Sequence, residues 1–191
     1  MVKFIIKVYR PCERFPEGGQ LTQYIDELKV GDELEISGPI GKCKYYGSGK
    51  FFRTTDKEIF FTKKISFIAG GTGITPFYQL LQHLNDNEDK KKNGLKVQLL
   101  FANKSSKDII LRKELEKLKN EKIIDDLKLC LDKADEENWD GYEGFIEEPM
   151  LKKFLWEKSD DHYIIMCGPP RMNSGIIMAL DNMGYENYYC Y

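Results

Sequence analysis

The sequence predicts an α/β fold: a parallel sheet with helices on both faces, preceded by a short β-rich part built from the strands and tight turns of a small barrel. Three observations predict it. After residue 59 the chain repeats apolar strand, turn and helix, the alternation that builds parallel sheets. Before it, GPIGKCKYYGSGKFF at residues 38–52 sets glycines between aromatics, a texture of turns and short strands. Between these, IAGGTGITP at residues 68–76 carries an apolar strand through glycines straight into a helix.

In chain order, residues 2–9 are β-rich and DELEIS at 32–37 alternates polar with apolar side chains, so both read as half-buried strands. Leu21, Tyr24, Ile25 and Leu28 fall at helical spacing over residues 20–29, and Gly31 supplies the stop. Residues 54–58 read as a polar loop. Strands are then predicted at 65–69, 97–102, 127–131 and 163–167, and helices at 75–84, 108–119, 147–155 and 171–183. The loop NDNEDKKKN at 85–93 is poor in apolar residues, so Lys90, Lys91 and Lys92 read as a solvated run. The boundary falls near residue 60, giving domains 1–60 and 61–191 with function expected in the cleft between them.

Composition narrows the function. With 29 Lys plus Arg against 31 Asp plus Glu, the 191 residues carry a formal charge of −2, which disfavours a polynucleotide partner. Five scattered cysteines without a C-x-x-C pair, and two histidines, suit reduced thiols in a cytosolic setting and give no metal site. No apolar run has the length of a membrane span. Val2 removes the glycine that N-myristoylation needs, although a longer precursor could carry an anchor.

Two motifs carry chemistry. In IAGGTGITP the glycines let the backbone approach a ligand closely, and the following helix offers N–H groups and a positive dipole end to a phosphate. IIMCGPPRM at residues 164–172 ends a second strand in a glycine and two prolines at a helix entrance. At two strand ends of one parallel sheet, such turns can face each other across the switch-point crevice, as a dinucleotide requires.

These two segments, together with LLFANKSSKDIILRKELEKL and the aromatic C-terminus, resemble the pyridine-nucleotide half of the ferredoxin-NADP reductase superfamily, and within it the NADH-dependent cytochrome b5 reductases. IKVY at residues 6–9, GGQLTQY at 18–24 and GPIGKCKYYGSGKF at 38–51 are similar to the end of that family's flavin domain. The resemblance implies a parallel-sheet nucleotide-binding domain preceded by the C-terminal part of an antiparallel β-barrel flavin domain. It implies FAD and NADH as cofactors and a flavoprotein oxidoreductase that passes a hydride from NADH to FAD, then single electrons to cytochrome b5 or a similar haem protein. The same module occurs in nitrate reductases.

It also implies roles for residues. Gly18, Gly19, Gln20, Leu21 and Thr22 lie against the FAD pyrophosphate, and Lys7 and Tyr9 border the flavin and the entering NADH. Gly71, Thr72, Gly73 and Pro76 hold the NADH pyrophosphate and ribose. Cys167, Gly168, Pro169, Pro170 and Met172 form the nicotinamide pocket. Thr75, touching both cofactors, and Cys167 are the catalytic pair, with Cys167 in a positioning role because hydride transfer needs no covalent intermediate. Asp132 favours NADH by bonding the adenosine ribose and repelling a 2′-phosphate, and Asn103 and Asp108 help to seat the adenosine end. Tyr191 stacks near the flavin.

The residues alone leave other readings open. Lys7 can be an exposed edge-strand residue, Asp132 a loop cap, Asn103 and Asp108 caps of the next helix, and Tyr191 a packing residue of a terminal strand. Cys43 and Cys130 read as buried inert thiols, and Cys167 as a redox sensor is a third option. The family's R-x-Y-[ST] flavin strand does not occur. About half of the flavin barrel is therefore expected to be absent, and a module that binds NADH or an adenine nucleotide without turnover is the alternative function. Where a docking lysine is familiar, after Gly19, the chain has Gln20, leaving Lys57 and the lysine-rich loop to meet an acidic partner.

Overall fold

The structure is a computed structural model that describes all residues except 1–3, 14, 39 and 88, and the backbone alone of residues 89 and 91. The chain divides into two compact units, Met1–Ile40 and Gly41–Tyr191.

In the first unit the regular element is helix α1 (Gln20–Glu27). The strands expected at 2–9 and 32–37 do not form: residues 4–10 and 32–38 have no ladder partner, and residues 2 and 3 lie outside the described residues. Alternation sets which face of a segment is apolar, but a strand exists only when a neighbour takes its N–H and C=O groups. Phe4, Ile6 and Ile36 are accordingly exposed.

The second unit opens with an antiparallel sheet of β1 (Cys43–Tyr45), β2 (Lys50–Arg53) and β3 (Glu58–Phe61). Strand β3 lies where the sequence reading has a polar loop giving way to the next domain. Its Phe60 stacks on Tyr163 with ring centroids 3.8 Å apart, and Arg53 donates to the Tyr163 hydroxyl at 2.9 Å. This packing makes β1–β3 part of the larger compact unit, whereas the change from antiparallel to parallel pairing falls near residue 60.

Strands β4 (Lys64–Gly70), β5 (Lys96–Asn103), β6 (Asp126–Leu131), β7 (Tyr142–Glu143), β8 (His162–Cys167) and β9 (Tyr188–Cys190) form a parallel sheet in the order β7-β6-β5-β4-β8-β9. From β4 the chain runs outward through β5 to β7 and returns to β8 on the other side, so the switch point lies between β4 and β8. Helices α2 (Ile74–Asp86) and α4 (Arg112–Asn120) bury Phe77, Leu81, Leu115 and Leu118 against one face. Helices α5 (Glu148–Phe154) and α6 (Pro170–Asn182) bury Leu151, Phe154, Ile176 and Leu180 against the other. Strand β4, covered on both sides, reads KISFIAG and is buried almost throughout, as a central parallel strand must be.

The loop expected at 85–93 is a correction. Helix α2 runs on to Asp86, and a short helix, α3 (Asp89–Asn93), follows. Lys90 is buried there, its Nζ donating to the carbonyls of Lys122 and Ile123 and to Asp125 at 2.7 Å. One carboxylate and two carbonyls replace the water that a buried ammonium would otherwise miss, so this lysine is not a solvated or docking charge.

Among the described residues no helix is long and apolar enough to cross a membrane, and no cluster of three or more acidic, histidine or cysteine side chains could hold a metal.

Candidate dinucleotide-binding site

Strand β4 ends in Gly70, and Gly71–Gly73 form one 3-10 turn that leads directly into α2. Gly71 has φ +54°, and a Cβ placed on it would meet nothing within 4 Å. The backbone here is therefore both left-handed and open on its outer side, which suits a bulky anion. The Ile74 N–H that opens α2 already donates to the Gly71 and Thr72 carbonyls, but no side chain caps the 3-10 turn before it, so the N–H groups of Gly71–Gly73 are the ones that face a ligand. Pro76 sits in that first turn, where a missing N–H costs nothing. The Thr75 hydroxyl donates back to the Thr72 carbonyl at 3.0 Å and closes the turn.

At the neighbouring strand end, β8 runs into Cys167, Gly168, Pro169 and Pro170, with Pro170 opening α6. The two turns meet. A Cβ on Gly73 would lie 2.0 Å from the Cys167 carbonyl oxygen, and one on Gly168 would lie 3.2 Å from the Gly70 Cα. Met172 fills the remaining space: its side chain would strike a Cβ on either Gly70 or Gly168. The parallel register Ala69↔Cys167 places both turns at one level. The side chain of Asn173, which the sequence reading passed over, donates to the Gly168 carbonyl at 3.0 Å. A polar residue on the buried face of an otherwise apolar helix was its only signal.

Along the same sheet edge, Asn103 ends β5 buried, with neither side-chain oxygen nor nitrogen partnered in the protein. Its carbonyl accepts from the Asp132 N–H at 3.0 Å, while the Asp132 side chain is exposed. Asp108 accepts from Ser105 at 2.7 Å, and Asp135, which sequence reasoning missed, accepts from the Ser106 N–H at 3.0 Å. Arg112 grips Glu136 through two nitrogens at 2.6 and 3.2 Å. These pairs join the loops after β5 and β6 into one rim.

The thiols on this side of the sheet are not activated. Burial raises the Cys167 pKa, with Cys190 adding to the effect, and pushes Cys43 and Cys130 up to about 11. A thiol held protonated is a poor nucleophile. Tyr191 donates its N–H to the Met166 carbonyl and sets its ring edge-on to Phe77 and Tyr189. Burial and the neighbouring Cys43, Tyr189 and Cys167 hold its hydroxyl well above the ordinary tyrosine pKa.

In the first unit, Lys7, Tyr9 and residues 18–22 come together. The Gly19 N–H donates to the Tyr9 carbonyl at 2.7 Å, the Tyr9 N–H to Thr22 Oγ1 at 3.2 Å, and Lys7 Nζ lies 5.5 Å from the Tyr9 ring centre. Gly19 starts α1 without a side-chain cap, while Gln20 and Leu21 are exposed.

Paired glycine turns at the switch point of a parallel sheet define a dinucleotide-binding α/β domain. The comparisons sharpen that class. The oxidoreductase NAD-binding domain family matches residues 67–177, and the oxidoreductase FAD-binding domain family matches residues 1–45. The chain is 38% identical to NADH-cytochrome b5 reductase 3 of Mus musculus over all of its own length and 64% of that protein's. It is 40% identical to NADH-cytochrome b5 reductase 2 of Gallus gallus, covering 96% of this chain and 62% of the relative. The crystal structure of the cytochrome b5 reductase domain of Ulva prolifera nitrate reductase superposes with a TM-score of 0.87 at 32% identity, covering 97% of this chain and 71% of that one. The chain belongs to the oxidoreductase NAD-binding domain family, in its ferredoxin-NADP reductase-like cytochrome b5 reductase group. FAD and NADH are the cofactors that go with the two matched domains. The chain spans just under two thirds of the length of the two reductases it matches.

Proposed function

We propose that this chain is the working part of an NADH-dependent flavin oxidoreductase whose electrons go to cytochrome b5 or a similar haem protein. The observation that carries the reading is the left-handed Gly71, with open space where a Cβ would stand, in a turn whose Gly70 and Gly73 pack against the Cys167–Gly168 turn. When bound, NADH supplies a hydride and FAD accepts it and releases single electrons. The chain's own residues bind and orient. Gly71, Thr72 and Gly73 would hold the NADH pyrophosphate and ribose with backbone N–H groups, and Pro76 would shape the turn beside them. Asp132 bonds the adenosine ribose from the rim that Asn103 and Asp108 help to build, and so favours NADH over NADPH. Gly168, Pro169, Pro170 and Met172 would shape the nicotinamide pocket with Cys167 as a neutral wall, and Thr75 would contact the cofactors.

On the flavin side, residues 1–60, the uncapped α1 beginning at Gly19 can take a pyrophosphate with Gln20, Leu21 and Thr22. Lys7 and Tyr9 would border the ring. Residues 61–191 form the NADH side. Five free thiols support a reducing, cytoplasmic location, with any membrane association left to an N-terminal segment.

The chain mixed with FAD and then NADH tests the reading. A yellow flavin spectrum that bleaches on adding NADH, with reduction of a haem protein, supports it; a flavin-bound chain that NADH leaves oxidised rules it out. Lys57, exposed on the β2–β3 turn, is the candidate docking charge, and activity should fall as salt rises if charge steers the encounter.

A second reading, an NADH-binding module without turnover, is favoured by one observation: every buried apolar side chain among the described residues lies in 41–191. Calorimetry showing NADH binding with no uptake of FAD would select it.

A further inference from the structure

Asn173 lies in the first turns of α6 and is 8% exposed. Its Nδ2 donates to the Gly168 carbonyl at 3.0 Å, and its main-chain N–H bonds the Pro169 carbonyl at 3.0 Å. Its Oδ1 is buried and has no partner in the protein. The helix face it shares carries Ile176, Ala179 and Leu180, all core residues. An aliphatic side chain would bury there without stranding an amide oxygen. The amide is therefore kept against an uncompensated cost, and the bond it gains for that cost goes to Gly168.

We propose that Asn173 is a positioning residue for the nicotinamide end of the dinucleotide, a role that rests on the NADH reading above. Pro169 and Pro170 fix φ on one side of the C-G-P-P turn but bring no N–H with which to hold it. The Asn173 amide supplies that donor from inside the helix and fixes the plane of the Gly168 carbonyl. Gly168 in turn packs against Gly70, and Met172 wedges between them, so a freed carbonyl would shift the wall of the nicotinamide pocket. Asp132, Asn103 and Asp108, on the strands and loops beyond β4, keep their places. The bond thus acts on one end of the ligand only.

Calorimetry on the whole chain separates the two ends, with ADP-ribose probing the adenosine and pyrophosphate contacts and NADH adding the nicotinamide. Asn173→Leu, similar in size and without the donor, is expected to bind ADP-ribose within about twofold of the unsubstituted chain and NADH about tenfold more weakly, or about 1.4 kcal/mol. Unchanged ADP-ribose binding also shows that the variant is folded. Asn173→Asp at pH 8, the same shape with an acceptor in place of the donor, is expected to give the same split. Equal losses for both ligands, or NADH binding that neither substitution changes, overturn the role of Asn173. An unsubstituted chain that binds neither ligand overturns the NADH reading itself, and the role with it.

Discussion

Two of the glycine turns that lead into helices, Gly18–Gly19 in one compact unit and Gly71–Gly73 in the other, use glycine for opposite purposes. At Gly18–Gly19 the space a side chain would take is already occupied by the chain itself: a Cβ on Gly18 would lie 2.5 Å from the Tyr9 carbonyl oxygen, and one on Gly19 2.7 Å from Thr22 Oγ1. At Gly71 that space is empty, although two residues on, at Gly73, it is filled by the backbone of Cys167. A glycine-rich turn therefore has two separable functions: letting two pieces of backbone touch, and leaving room for something that is not the protein. Only the second turn combines them.

Four substitutions or conditions sharpen or break that contrast, from the largest effect down. Gly73→Ala puts a methyl into the Cys167 carbonyl, where backbone on both sides must yield. We expect a stability loss of about 3 kcal/mol, at the upper end of overpacking costs, read by urea unfolding, with NADH binding lost. A loss below about 1 kcal/mol would show that the two turns are not in firm contact.

Acidification comes next, and it acts at the opposite edge of the same sheet. There Gln98 donates to Ser66 at 2.7 Å, and Ser66 lies 2.6 Å from His162 Nε2, all three buried. Burial, with Lys64 nearby, lowers the His162 pKa from 6.5 to about 4, against a smaller opposing effect of Asp161. A histidine more basic unfolded than folded stabilises the fold fully above the unfolded value and loses that contribution as pH drops. Stability should therefore fall by up to about 1.4 kcal/mol per pH unit between pH 6.5 and 4. His162→Gln should flatten this slope in urea titrations at several pH values; an unchanged slope would place the acid sensitivity elsewhere.

Gly18→Ala tests the turn in the first unit. With φ +66° and a backbone contact in the way, we expect a local cost of about 1–2 kcal/mol. It should appear as faster hydrogen exchange in residues 9–27 and leave NADH binding unchanged. Gly71→Ala is the mirror case. It meets no neighbour, so stability should fall by only about 1 kcal/mol from the positive φ, whereas NADH affinity should fall about tenfold or more as the methyl enters the cradle. An affinity unaffected by Gly71→Ala would move the phosphate site away from this turn.

Much of the second unit was legible from local pattern. Strand β4 is predicted at 65–69 and runs Lys64–Gly70, and helix α6 is predicted at 171–183 and runs Pro170–Asn182. Apolar periodicity and flanking glycines or prolines act over a few residues, and these elements satisfy it locally. The misses are of another kind. Helix α4 starts at Arg112, not at 108, because Leu111 takes φ +59° after a turn at Ser106–Asp108 to which Asp135 bonds from a distant loop. Strand β7 is two residues long and exists only as the partner of β6. Lys90 reads as solvated until Asp125 and two carbonyls from far along the chain surround it.

By itself, then, the sequence determined the succession along the chain of the main strands and helices of the parallel sheet, β7 and α3 excepted, and the two turns at its carboxyl edge, because glycine, proline and apolar spacing constrain the backbone over short range. Its likeness to a known family supplied the cofactors. Only the tertiary structure decided that the turns share one level through the β4–β8 register, that Gly71 opens outward while Gly73 does not, and that an amide on α6 holds the Gly168 carbonyl. It also decided that two alternating segments in the first unit form no strand. Each of these depends on which distant backbone arrives to fill or leave a space, and nothing in the local pattern encodes that.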